Sequence, residues 1–328
     1  MRAITYDRFG TANDVLRLKE YDKPSPAAGE VLVRVKTSGV NPSDIRARAG
    51  GRPGVTKPAF PEISPHSDGA GVIEAVGPGG DAARIGERVW IWNAQWQRAF
   101  GTAADYIAVP SEQAVLLPDH VTFETGATLG IPALTAVHAV LAGGAVAGKT
   151  VLISGGNGTV GHLAVQVAAA SGARVLATAR GDAMADVKTA GAAHVFEYDA
   201  PDLADQILQA TGGELVDRIV EVEFGKNADT NAKIIAERGT IAAFGSALDM
   251  APVMPFYPLM FKAVTIDLVL VYLLSKAERA AAVETLTELL MRNALNIRIS
   301  DVFALEDTAK AHDVVASGQR SGSVILTI

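Results

Sequence analysis

Val151-Leu152-Ile153-Ser154-Gly155-Gly156-Asn157-Gly158-Thr159-Val160-Gly161 is the stretch that decides how this chain folds. A short apolar strand runs into Gly156-x-Gly158-x-x-Gly161, and the helical pattern His162-Leu163-Ala164-Val165-Gln166-Val167-Ala168 follows at once. A strand feeding a helix through such a turn aims backbone N–H groups and the positive end of the helix at a pyrophosphate. In this reading Gly156 permits the tight turn, Gly158 lets the backbone approach the phosphates, and Gly161 lets helix and strand pack closely. Asn157, Thr159 and Val160 complete the cradle. Three spaced glycines are a weak signal in a chain with 32 of them. The strand before and the helix after supply the context that the motif requires.

Outward from this turn, the segments 174–179, 194–198, 217–222 and 239–245 alternate with helical stretches and are apolar on both faces. That pattern predicts an α/β fold, a doubly wound parallel sheet with helices on both sides. The segment 265–272 supplies a sixth strand, and a helix is expected from about 275 to 293. Residues 1 to about 120 differ: short strands at 30–37, 69–76 and 87–92, broken by Gly and Pro, suggest a small β-barrel. A short helix at 305–312 precedes a closing strand at 322–328, which is more easily placed back in the β-domain than at the edge of the parallel sheet. The expected division is therefore 1–120 with 274–328 as the β-domain, and 121–273 as the dinucleotide-binding domain.

With 328 residues, 49% hydrophobic and 20% charged, the chain has the make-up of a soluble protein with substantial cores. A formal charge of −7 argues against a broad footprint for nucleic acid. The absence of cysteine removes disulfides and thiolate-ligated metal sites. The start of the chain carries no apolar signal core, and the longest apolar run, near 264–274, is interrupted by Asp267. A cytoplasmic protein without a membrane partner is expected.

Several stretches together resemble the medium-chain dehydrogenase/reductase superfamily, and within it the zinc-independent, zeta-crystallin-like quinone oxidoreductases. They are Gly39-Val40-Asn41-Pro42-Ser43-Asp44, the run from His66 to Gly77, Gly130-Ile131-Pro132-Ala133-Leu134-Thr135-Ala136, the glycine turn, and Leu305 through Ile328. The resemblance covers essentially the whole chain. It implies a GroES-like β-barrel domain, a Rossmann domain, and a nicotinamide site in the cleft between them. Zinc-dependent relatives hold catalytic zinc with a Cys/His/Cys-type set; here Asn41, Ser67 and a position near Ile131 stand there, so no metal is expected. His66 is one residue off that pattern, and its plain reading is a cleft-wall or surface histidine.

The ordinary NAD reader, an acid about 20 residues past the glycines, is missing. The second strand ends in Thr178-Ala179-Arg180-Gly181, and an arginine there suits a 2′-phosphate, which points to NADP(H). Asp182 stands close enough to compete for Arg180, and Met184 occupies a place where relatives often carry lysine. Through the resemblance, Asn41 and Thr135 would lie beside the nicotinamide, with Gly245 and Ser246 as a backbone turn nearby. Ser43 aligns with the proton-relay hydroxyl of the zinc enzymes. Arg320 is a candidate for the positive charge missing at Gly322-Ser323. Asp44 reads as a loop-capping carboxylate and Asp68 as a structural acid.

Two aromatic walls of the relatives are replaced, one of them by Ala133-Leu134. All three tryptophans instead fall between Trp90 and Trp96. On an unbroken strand Trp90, Trp92, Ala94 and Trp96 would share one face. Trp96, with Asn93 and Ala133, is the candidate substrate surface for a planar acceptor. The function expected first is NADPH-dependent reduction of a quinone; the alternative is reduction of an alkenal, enone or enoyl double bond. A third reading, an RNA-binding or redox-sensing module, conflicts with the acidic charge. A homodimer through the edge strand near 264–272 is expected, because that strand is apolar enough to want cover.

Overall fold

The strand Glu30–Val40 organises the first of two units, Met1–Ile131 with Ile297–Ile328. The structure, a computed structural model, describes residues 1–51 and 54–328. Val31, Val33 and Val35 alternate along this strand into one core with Ile73, Val89, Ile91 and Ile107, as a half-buried antiparallel strand requires. Asp68–Val76 pairs along its length on one side. On the other side the strand is shared. Glu30–Arg34 pair with Tyr106–Pro110, whereas Thr37–Val40 pair with the closing strand Ser323–Thr327. A register shift between Val35 and Thr37 marks the bend where the neighbour changes. The closing strand thus returns to the β-domain, as expected, and Ile299–Ala304 lies parallel outside it.

The second unit, Pro132–Asn296, is a six-stranded parallel sheet. Its order is His194–Glu197, Arg174–Ala179, Thr150–Ile153, Val216–Glu221, Ile235–Ala243, Thr265–Leu268. Sequence order reverses between Thr150–Ile153 and Val216–Glu221, the switch point where open α/β sheets bind ligands. Leu152, Leu176, Ile207, Ile219 and Ile241 form the core beneath it. Thr265–Leu268 stops short of 272; Val269 N–H still bonds Ala243 C=O, and a 3₁₀ turn, Val271–Leu273, follows.

The domain boundaries need correction. Residues 274–296 belong with the parallel-sheet unit. Helix Lys276–Met291, started by a Ser275/Glu278 capping box, packs on helix Leu134–Leu141. Gln166 then holds both the N–H and the C=O of Asn296, at 2.6 and 3.2 Å. Residues 121–131 go the other way: Thr37 Oγ1 donates to Phe123 C=O at 2.6 Å, and Ile131 N–H donates to Asp68. Long-range hydrogen bonds, not local composition, set both limits.

Candidate functional site

The glycine turn is pinned from its neighbour strand. Gly155 N–H donates to Thr178 Oγ1 at 3.0 Å, and Gly156 N–H donates to Thr178 C=O at 2.7 Å. The left-handed residue of the turn is Gly155, with φ of 68°. Gly156 is instead confined by packing, since a Cβ there would lie 3.0 Å from Val187 Cγ1. Gly158 is exposed and caps helix Thr159–Ala170, leaving its approach side bare. Asn157, Thr159 and Val160 are half-buried beside it.

Gly161 sets the tightest contact. A Cβ on it would stand 2.1 Å from Gly155 C=O. Gly161→Ala must therefore push the helix off the turn. The expected outcome is loss of nucleotide binding with a thermal midpoint lowered by several degrees, read by titration and thermal melting.

A cavity of about 220 Å³ opens at the switch point, lined by Ser154, Asn157, Gly158, Thr178, Arg180, Tyr198, Lys226 and Asn227 among others. Arg180 donates to Tyr198 Oη at 2.8 Å, and its guanidinium carbon lies 5.0 Å from that ring's centroid. Lys226 Nζ lies 4.5 Å from the same centroid. Two cations thus gather on one aromatic ring. Arg180 turns to Tyr198, not to Asp182. The carboxylates of Glu197 and Glu223 accept from the N–H groups of Gly181 and Leu248. Tyr198, Lys226 and Asn227 escaped the sequence reading. Lys226 supplies the second cation that Met184, in helix Ala183–Thr189, does not.

Gly245 and Ser246 follow Ile235–Ala243 and tie down the loop opposite. Gly245 C=O accepts from Phe224 N–H, and Ser246 Oγ accepts from Gly225 N–H at 2.9 Å. Thr135 is buried in helix Leu134–Leu141, and Ala133 is buried in the π-helical turn Leu129–Ala133.

In the β-unit, Asn41 caps helix Pro42–Ala49. Its N–H donates to Asp44 Oδ2 at 2.8 Å, so Asp44 is the capping carboxylate expected. Asn41 Nδ2 donates to Asp68 Oδ2 at 2.9 Å, and Asp68 also accepts from Ile131 N–H. Asp68 is fully buried, and burial pushes its carboxyl well above the usual carboxylate range despite those hydrogen bonds. Ser43 is half-buried in the helix's first turn. Arg320 is partly buried with Asp301 as its charge neighbour; burial lowers its pKa, and its Nε has no hydrogen-bond partner.

The tryptophan segment does not continue as a strand. Arg88–Ile91 ends the pairing, and Asn93 and Gln97 take left-handed φ values of 52° and 58°. Trp90 is fully buried, while Trp96 is half-buried in a turn closed by Trp96 N–H on Asn93 C=O. The shared face therefore breaks at Asn93, itself buried.

His66 also needs correction: it is fully buried, at a left-handed φ of 79°, and is paired with His312. Thr102 Oγ1 donates to Asp68 C=O at 2.5 Å, so the Ser38 hydroxyl must donate to Thr102, 2.8 Å away. Ser38 then accepts from His66 Nδ1–H at 2.9 Å, and His66 Nε2 accepts from His312 Nε2–H at 2.9 Å. His312 Nδ1 ends the chain as a buried acceptor without a partner. Burial pulls the His66 pKa down to about 3. Burial first, then His66 and Arg48, hold His312 well below the ordinary range. Among the described residues no three His, Asp or Glu side chains gather as metal ligands, and no helix is long and apolar enough to cross a membrane.

Comparison with known proteins places these features in a family. The alcohol dehydrogenase GroES-like domain pattern matches residues 27–119, and the zinc-binding dehydrogenase pattern matches 159–288. The quinone oxidoreductase of Rattus norvegicus is 31% identical over 334 residues, covering 100% of this chain and 98% of that protein. A structure described as an NAD-dependent alcohol dehydrogenase superposes with a TM-score of 0.90 at 26% identity, covering all of both chains. A mycobacterial protein solved in complex with NADPH superposes with a TM-score of 0.86 at 28% identity, again over all of both chains.

Proposed function

Since the chain belongs to the quinone oxidoreductase family of medium-chain dehydrogenases/reductases, we propose that it oxidises NADPH and passes the hydride, or its electrons, to a quinone-like acceptor without a metal. The observation that carries the cofactor choice is the pair Arg180 and Lys226 on Tyr198, at the strand end where an NAD reader would present an acid. A 2′-phosphate would answer both cations, and the exposed Gly158, lacking a Cβ, leaves room for the pyrophosphate. The mycobacterial relative with NADPH supports this choice over the NAD use of the other neighbour.

The bound nicotinamide would supply the hydride. The chain's own groups bind and orient. Gly156, Gly158 and Gly161 with Thr178 hold the turn rigid; Thr135, Gly245, Ser246 and Arg320 are the further cofactor contacts we assign. Asn41, oriented by Asp68, and Ser43 are the polar groups offered to the acceptor, and Trp96, Asn93 and Ala133 its surroundings. Asn41, Ser67 and Ile131 at the family's zinc-ligand positions support metal-free chemistry, which suits an acceptor that is already electron-poor.

NADPH oxidation measured against ortho- and para-quinones, 2-alkenals and enoyl thioesters tests the reaction. Turnover confined to quinones, with quinone KM raised severalfold in Trp96→Ala, is expected. Turnover confined to alkenals or enoyl thioesters would replace this reading with double-bond reduction.

The protein is further proposed to be a cytoplasmic homodimer. Thr265–Leu268 is the edge of the parallel sheet, and Leu268 and Phe261 beside it are 74% and 78% exposed. Sedimentation at micromolar concentration should show twice the chain mass; a monomer would refute it.

A further inference from the structure

Behind the nucleotide cavity sits a buried acid that the reading above leaves unused. Glu221, the last residue of Val216–Glu221, is fully buried. Its Oε1 accepts from Glu223 N–H at 2.7 Å and from Asn227 Nδ2 at 3.0 Å. Its Oε2 accepts from Asn231 Nδ2 at 2.8 Å. Asn227 and Asn231 are four residues apart on helix Phe224–Ile234, so one carboxylate holds two amides on the same helix face. The second hydrogen of Asn227 Nδ2 goes to Ser154 Oγ at 3.2 Å. Asn227 and Ser154 both line the cavity.

This arrangement imposes a polarity. Both oxygens of Glu221 accept hydrogen bonds, Oε1 from a backbone N–H, so turning the Asn227 amide over would set its Oδ1 against Glu221 Oε1. The amide therefore keeps Nδ2 inward and Oδ1 away from the acid. Ser154 Oγ, already accepting from Asn227, retains its own hydrogen to donate.

We propose that Glu221 is a positioning residue: it fixes Asn227 Oδ1 as an acceptor and the Ser154 hydroxyl as a donor on the cavity wall, so that this wall reads a hydrogen-bond donor on the adenosine half of the nucleotide. The inference rests on the cavity being the nucleotide site. It goes further by assigning the wall's donor and acceptor and the residue that enforces them.

Titration with 2′,5′-ADP, which carries the 2′-phosphate and no nicotinamide, tests it. Wild type binds. Asn227→Ala and Glu221→Gln each weaken binding by about 5- to 30-fold, and the double variant is no weaker than the worse single one. In turnover the loss falls on KM for NADPH, with kcat retained. Wild-type affinity in Glu221→Gln, or losses that simply add, overturns the proposal. Absence of 2′,5′-ADP binding by wild type overturns the nucleotide reading and the proposal with it. Should Glu221→Gln fail to fold, a crystal structure of wild type with 2′,5′-ADP decides. Asn227 Oδ1 on a ligand donor with Nδ2 still on Glu221 supports the proposal; Oδ1 turned from the ligand refutes it.

Discussion

Replacing Arg180 with alanine is expected to raise the dissociation constant for NADPH roughly 10- to 100-fold while changing that for NADH by no more than about twofold. The asymmetry follows from what separates the two cofactors, a single phosphate. A charge-assisted hydrogen bond to it contributes about 1.5–3 kcal/mol, which converts to that range. Arg180 is exposed, but its guanidinium is already held by Tyr198 Oη, so little freedom remains to be lost on binding. Lys226→Ala should act in the same direction and more weakly, since an ammonium offers a point charge in place of a planar fork. Titration of both variants with both cofactors checks this. Equal losses for NADPH and NADH would show that the cations serve the pyrophosphate or the fold, not the 2′-phosphate.

Acid should unfold this protein through its histidine pair. His66 has a folded-state pKa near 3, below its ordinary value of about 6.5. Its contribution to stability is complete above about pH 6.5 and is lost as pH falls from there toward 3. The full loss is of the order of 4–5 kcal/mol, with about 2–3 kcal/mol already gone at pH 4.5. His312, shifted the same way, adds to it. Of the charges nearby, Arg48 opposes protonation of His312, while Asp313 faces Arg48. Urea unfolding at pH 7 and 4.5 measures the effect. The comparison is His66→Asn with His312→Leu, asparagine being chosen because it tolerates a left-handed φ. A pH dependence as steep in that variant as in wild type would place the acid sensitivity in the carboxylates instead.

The parts of the molecule that could be read from sequence are those whose signal is local. The glycine turn, the strand at 174–179 and Arg180 at its end each follow from neighbours within a few residues. So does the helix expected from about 275, observed as Lys276–Met291. The closing strand is legible because its apolar run is more easily placed in the β-domain than at the edge of the parallel sheet, and there it pairs with Thr37–Val40. What escaped depends on contacts distant in sequence. His66 looked superficial because its partner, His312, stands 246 positions away. Tyr198 and Lys226 flank different strands, and nothing in either segment shows that the two meet at Arg180. The membership of residues 274–296 is not legible locally, because Gln166, 130 positions before Asn296, anchors them. The tryptophan run misled for a different reason. Its alternation is genuine up to Ile91, but Asn93 and Gln97, both non-glycine residues in left-handed backbone, redirect the chain.

The strand Glu30–Val40 also has a consequence in time. On that side its second half is completed only by Ser323–Thr327, so the β-unit cannot finish its sheet until residues 323–327 have been made. The contiguous unit Pro132–Asn296 has no such wait. At roughly 5–20 residues per second, the unfinished β-unit stands for about 10–40 s with the edge of Thr37–Val40 unpaired while the parallel-sheet unit is made and folds. During synthesis, then, this unit is begun before the parallel-sheet unit and completed after it, and the waiting edge is open to mispairing between nascent chains.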